Sequence, residues 1–138
     1  MSLSDVQTAL RAGLFSLLKA DGVLSGLLGS DRIFESPPRA DTFPYLVLES
    51  VETRPLLTEI GEGMVHSLAL SVFSRKLSRD EAAQAAGRAA EVLMTGPVSL
   101  TGHRLVNLTI TNVLSRKMRD GRGYRASSSL RAVTEPLT

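Results

Sequence analysis

The most constraining feature is a strict two-residue alternation between residues 64 and 74. Leu68, Leu70 and Val72 fall on one side, and Ser67, Ala69, Ser71 and Phe73 on the other. That period belongs to a half-buried strand with one face on a core and the other turned outward. A lone strand leaves its amides unpaired, so the chain must supply partners for it. The segment Tyr45 to Glu52, with β-favouring Tyr45, Val47 and Val51, reads as the first. Between the two, residues 52 to 63 hold Pro55, Gly61 and Gly63 with the acidic Glu52, Glu59 and Glu62, which predicts a long projecting hairpin loop.

The second half repeats this logic. Thr101-Gly102 reads as a turn into a strand with Val106, Leu108 and Ile110 inward and Asn107, Thr109 and Thr111 outward. A loop with Gly121 and Gly123, carrying Arg116, Lys117, Arg119, Asp120 and Arg122, then leads into a strand from Tyr124 to Thr134. Two helices complete the chain. Ser4-Asp5-Val6-Gln7 has the form of a capping box and opens a stripe of Val6, Leu10, Leu14, Leu17 and Leu18. Asp21 can cap a short further turn with Val23, Leu24, Leu27 and Leu28, closed by Gly29 in a left-handed conformation. Ser78-Arg79-Asp80-Glu81 is a second capping box, and the helix after it is rich in alanine and ends at Gly96-Pro97. Small residues at Ala82, Ala85, Ala86 and Ala89 allow it to lie close to a sheet. Ser30 to Pro44, with Pro37, Pro38 and Pro44, reads as an irregular connector pinned by Ile33 and Phe34.

The expected fold is therefore α+β in the order α-β-β-α-β-β. Its simplest form is a four-stranded antiparallel sheet with two main helices on one face. At 138 residues, one domain spanning 1–138 is the expectation. The chain has no cysteine, which removes disulfides, thiolate metal sites and cysteine nucleophiles together. No apolar run approaches the ~20 residues of a membrane span, and the first residues lack the basic start of a signal peptide, so a cytoplasmic origin is expected.

Candidate chemistry is sparse. His66 and His103 have no carboxylate or histidine at metal-ligand spacing, and structural, hydrogen-bonded or exposed roles account for both. No serine lies in a nucleophile elbow or SxxK pattern. Gly61-Glu62-Gly63 and Gly121-Arg122-Gly123 lack the third glycine and strand-loop-helix context of a dinucleotide site. Neither catalysis, nor a cofactor, nor a metal is expected.

Charge is the informative property. Residues 1–103 hold nine Lys/Arg against twelve Asp/Glu, whereas residues 104–138 hold seven against two. The acidic loop with Glu52, Arg54, Glu59 and Glu62 and the basic loop with Arg116, Lys117, Arg119 and Arg122 are accordingly candidate subunit or partner contacts. In a head-to-tail ring, heterologous contacts would bring one against the other. Direct phosphate contact by the basic loop is the competing reading, as in a small nucleic-acid-binding regulator, but few aromatics are present to stack bases.

Several stretches in order resemble the family of small phage tail completion or tail terminator proteins, also found in prophages and gene-transfer-agent clusters. They are the leucine-rich first helix through Leu27-Leu28-Gly29, Arg32-Ile33-Phe34 with Pro37-Pro38, and Phe43-Pro44-Tyr45-Leu46-Val47. The series continues in Glu52-Thr53-Arg54-Pro55, His66 to Ser74, Gly102 to Leu108, and Leu130 to Pro136. Where the family usually carries a tryptophan or other aromatic beside Ser74, this chain has Phe73. The resemblance implies a structural subunit of a ring, typically of six copies, at the head-proximal end of a tail tube. Such a ring stops tube polymerisation, meets the major tail tube protein and the head-tail connector, and lets DNA pass through its channel without reading it.

Overall fold

A computed structural model describes residues 3–38, 42–56 and 63–137. The elements are helix α1 (Leu3–Ala20), helix α2 (Gly22–Leu28), strand β1 (Ile33–Phe34), strand β2 (Tyr45–Pro55) and strand β3 (Met64–Ser74). Helix α3 (Asp80–Thr95) and strands β4 (His103–Lys117) and β5 (Tyr124–Pro136) follow. None of the described helices is long and apolar enough to cross a membrane.

The sheet has five strands in the order β1-β2-β3-β5-β4, so the four-stranded antiparallel expectation is corrected. The fifth strand is Ile33–Phe34, the two residues expected only to pin an irregular connector; it pairs in parallel with Leu46 and Val47. Two residues carry no visible period, which is why this strand is not legible as one. The other pairings, β2 with β3, β3 with β5 and β5 with β4, are antiparallel.

One sheet face is covered by helices. Leu10, Leu14 and Leu18 of α1, Leu24 and Leu28 of α2 and the alanines of α3 share a core with Leu46, Leu68, Leu70, Val72, Leu130 and Ala132. Ala82, Ala85 and Ala89 are at most 1% exposed, so the small side chains do bring the α3 backbone close to the strands. Gly13 allows α1 to approach the connection between α3 and β4 closely, since a Cβ there would sit 2.6 Å from the carbonyl oxygen of Ser99.

The caps differ from the expectation in instructive ways. Asp21 does cap α2, accepting from Leu24 N at 2.9 Å. Gln7, however, also reaches across the fold: its Nε2 donates to Thr53 Oγ1 at 3.0 Å and Val51 O at 3.3 Å, tying α1 to β2. At α3 the box is replaced: Ser78 Oγ accepts from Asp80 N at 3.2 Å, while Glu81 accepts from Ser74 Oγ at 2.7 Å and pairs with Lys76 at 3.2 Å. In both cases a side chain takes a tertiary partner. Gly29 closes α2 with φ +96° and ψ 165°, positive in φ but extended rather than left-handed helical, and its N–H bonds Ser25 O at 2.7 Å.

Strand β2 runs on through Arg54 to Pro55, past the interruption expected there, and β4 and β5 also run longer than expected. The inward set in β4 is partly wrong. Leu108 is buried, but Val106, the extra residue of the irregularity between Leu105 and Asn107, is 50% exposed, and Ile110, though on the same face as Leu108, is 39% exposed on the outermost strand of the sheet.

Candidate assembly surfaces

The strand register places the two charged hairpins at opposite ends of the sheet. Tyr45 lies opposite Phe73, Phe73 opposite Arg125, and Arg125 opposite Arg116, forming one cross-strand row beside the β4–β5 turn. At the other end Arg54 meets Val65, and Val65 meets Val133, beside the β2–β3 turn. Adjacent antiparallel strands bring Arg116 and Lys117 next to the chain reversal although both sit in β4 rather than in the loop.

The basic end is larger than the sequence indicated. Ser74 pairs with Tyr124, which carries Arg75, Lys76 and Arg79 to the same end as Arg116, Lys117, Arg119 and Arg122. Nothing local links residues 75–79 with 116–122; only the long-range β3–β5 pairing does. Arg75 then fixes the turn: its Nη1 donates to Asp120 Oδ2 at 2.7 Å and to Arg122 O at 2.9 Å. Asp120 Oδ1 in turn accepts from Arg122 N at 2.9 Å. That backbone bond, followed by Arg75, holds the Asp120 carboxyl below the usual carboxylate range. Gly123 seats the turn against β3, because a Cβ at its φ of +124° would lie 1.9 Å from Ser74 O. Arg116, Lys117 and Arg119 are exposed, and none has a carboxylate partner among the described residues.

Beneath these cations the aromatics are already engaged. Tyr45 stacks on Phe73 at 5.1 Å between centroids and touches Phe43 at 5.2 Å and Phe34 at 6.0 Å. Arg75 lies 4.4 Å over Phe43, Arg79 4.8 Å over Tyr124 and Arg125 5.5 Å over Phe73. Arg125 also pairs with Glu49, which accepts from Ser71; Ser71 Oγ in turn lies 2.7 Å from Ser127 Oγ. Desolvation raises the Tyr45 phenol above its ordinary value.

At the opposite end Glu52 pairs with Arg54 at 3.1 Å, and Arg104 with Glu135. Glu59 and Glu62 lie outside the described residues. His66 is buried in the same part of the sheet, its Nδ1 2.8 Å from Thr53 Oγ1 and its Nε2 2.8 Å from Thr134 Oγ1. Burial, with a smaller push from nearby His103, lowers its pKa from 6.5 to about 4, so the ring is neutral near pH 7. His103 Nδ1 lies 3.1 Å from Thr101 O. Both histidines thus have the structural roles the sequence suggested. No cluster of three metal-ligating side chains occurs among the described residues.

The helix-free face, the charged ends and the long outer strand β4 are the exposed features of an α+β module. Residues 12–135 match the family described as Tail completion protein gp17, and the chain belongs to that family. A solved chain from "Virion of native gene transfer agent (GTA) particle" is 27% identical with a TM-score of 0.85, covering 94% of this chain and 97% of that one. The structure of bacteriophage SPP1 gp17 protein shares the fold at 21% identity and a TM-score of 0.60, covering 95% and 91% of the two chains. No curated protein sequence matches the chain.

Proposed function

We propose that this protein is a tail terminator, an assembly subunit rather than a catalyst. It is made in the cytoplasm and built into a phage-like particle, where copies form a ring, six in the simplest form, at the head-proximal end of a long tail tube. The ring ends tube polymerisation and joins the major tail tube protein to the head-tail connector, with DNA passing through the channel unread. Family membership over residues 12–135 supports the setting. The observation that carries the mechanism is the placement of the two charged hairpins at opposite ends of one rigid sheet.

A subunit placed between two different neighbours needs two different ends. Arg116, Lys117, Arg119 and Arg122 form one, braced by Arg75. Glu52 and Arg54 belong to the other. Within one copy the ends cannot meet, so their charge is available only to other molecules. Complementary charge speeds and orients such encounters more than it strengthens them. Phosphate binding as the main role is less well supported, because the rings at the basic end stack on one another and lie under guanidinium groups.

The test is the triple reversal Arg116→Glu, Lys117→Glu and Arg119→Glu, assayed by incorporation into particles and by the melting temperature of the free subunit. Loss of incorporation with an unchanged melting temperature is the expected result. Retention of incorporation would overturn the reading.

A further inference from the structure

We infer that the outer edge of β4 is a strand-pairing site for a second copy of this chain, which receives it along the outer edge of β2. This rests on the ring reading above and names its contact. Strand β4 ends the sheet, so the backbone groups on its outer side have no partner strand among the described residues. Sheets normally protect such an edge with bulges, charge or cover. The first half of β4 does so with its two irregularities, but from Asn112 to Lys117 the register against β5 is unbroken. This straight stretch exposes Val113 to 69% and Leu114 to 41%, on opposite faces of the strand. Apolar side chains on both faces of an open edge are what an added strand would cover.

Charge decides the occupant. Strand β4 carries Arg104, Arg116 and Lys117 and no carboxylate. Antiparallel pairing of two β4 edges in full overlap would set Arg104 of one copy against Arg116 of the other, a like-charge opposition. The β2 edge carries the carboxylates that β4 lacks, Glu49 and Glu52, which within one subunit pair with Arg125 and Arg54. Its partner β1 pairs with Leu46 and Val47 alone, and beyond the irregularity at Leu48/Ser50 the register runs straight from Ser50 to Pro55. On this stretch Gln7 touches one carbonyl, that of Val51 at 3.3 Å.

Topology supplies the sense of the junction. Three antiparallel steps, β2 to β3, β3 to β5 and β5 to β4, leave β4 running opposite to β2. Copies related by rotation about a ring axis keep that relation, so β4 of one meets β2 of the next antiparallel and the sheets continue around the ring. This contact is heterologous, so it closes into a ring where a self-paired edge would stop at a dimer.

The experiment follows backbone amide exchange in the purified chain below and above its assembly concentration, alongside the variants Val113→Asp and Leu77→Asp. Leu77 is 84% exposed but lies off both edges, so it controls for loss of any exposed apolar side chain. Residues 112–117 and 50–55 are expected to slow together on assembly. Val113→Asp should raise the assembly concentration at least about tenfold with an unchanged melting temperature, and Leu77→Asp should not. A ring in which 112–117 exchange as fast as in the free subunit overturns this inference while leaving the terminator reading intact. Slowing at 112–117 without 50–55 overturns the choice of β2 as partner. A chain that never assembles overturns both.

Discussion

Two residues show how much a single position controls. His66 is held neutral by burial, with its folded pKa at about 4 against 6.5 when free. The unfolded chain therefore takes up a proton first as pH falls, and its stability relative to the fold rises. The contribution is intact above about pH 6.5 and is lost progressively toward pH 4, amounting to roughly 3 kcal/mol at 1.36 kcal/mol per unit. Urea midpoints measured from pH 7.5 to 4 should fall through that window, and His66→Gln should flatten the fall. Asp21 acts in a separate range. Arg88, bonding at 2.7 and 2.9 Å, and the Leu24 amide hold its carboxyl near 2 instead of 3.8, so its contribution is present above 3.8 and goes only below that. Gly123 is the second position. Alanine there meets Ser74 O and should cost about 2 kcal/mol or more and free Asp120 from Arg75, whereas Gly121→Ala meets nothing within 4 Å and should cost about 1 kcal/mol of backbone strain. Thermal melts of the two variants make the comparison.

At the scale of elements, the sequence was readable wherever one period persisted. Strand β3 announced itself because Leu68, Leu70 and Val72 all face the same core, and α3 because its alanines recur on one side. Capping residues were less legible: Asp21 does what its position suggests, but Gln7 bonds distant Thr53 and Glu81 bonds Ser74, the last residue of β3, in place of the local cap. A local pattern cannot show which of two available partners lies nearer in space. Strand β4 differed for another reason, since the irregularity between Leu105 and Asn107 turns Val106 outward, while Ile110 keeps the face of Leu108 but lies on the outermost strand of the sheet and stays 39% exposed. The close seat of α3 gives a check on the packing itself. Ala85 is fully buried in the shared core, so Ala85→Leu should force α3 away from β3 and β5 and destabilise the fold by about 1–3 kcal/mol, measured by urea unfolding.

For the whole molecule, the candidate surfaces were half visible. The charge difference between the two parts of the chain is plain in the sequence, and so are the two hairpins that concentrate it. What could not be read was that β3–β5 pairing adds Arg75, Lys76 and Arg79 to one end and sets both hairpins at opposite extremes. Two classes of contact follow from that shape, ionic at the ends and backbone with apolar side chains at the edges, and they respond differently to salt. Exposed charges lose their reach as the Debye length falls from about 10 Å at 0.1 M to about 3 Å at 1 M. Apolar burial and strand pairing are not screened in that way. Raising salt to about 1 M should therefore release the subunit from neighbours held through Arg116, Lys117 and Arg119 while rings closed through β4 and β2 persist. Sedimentation of assemblies across that range would show intact rings shed from longer structures. Dissolution of the rings at salt concentrations that spare contacts with neighbouring tail proteins would reverse the assignment, placing the ionic ends between copies and the open edges against other proteins.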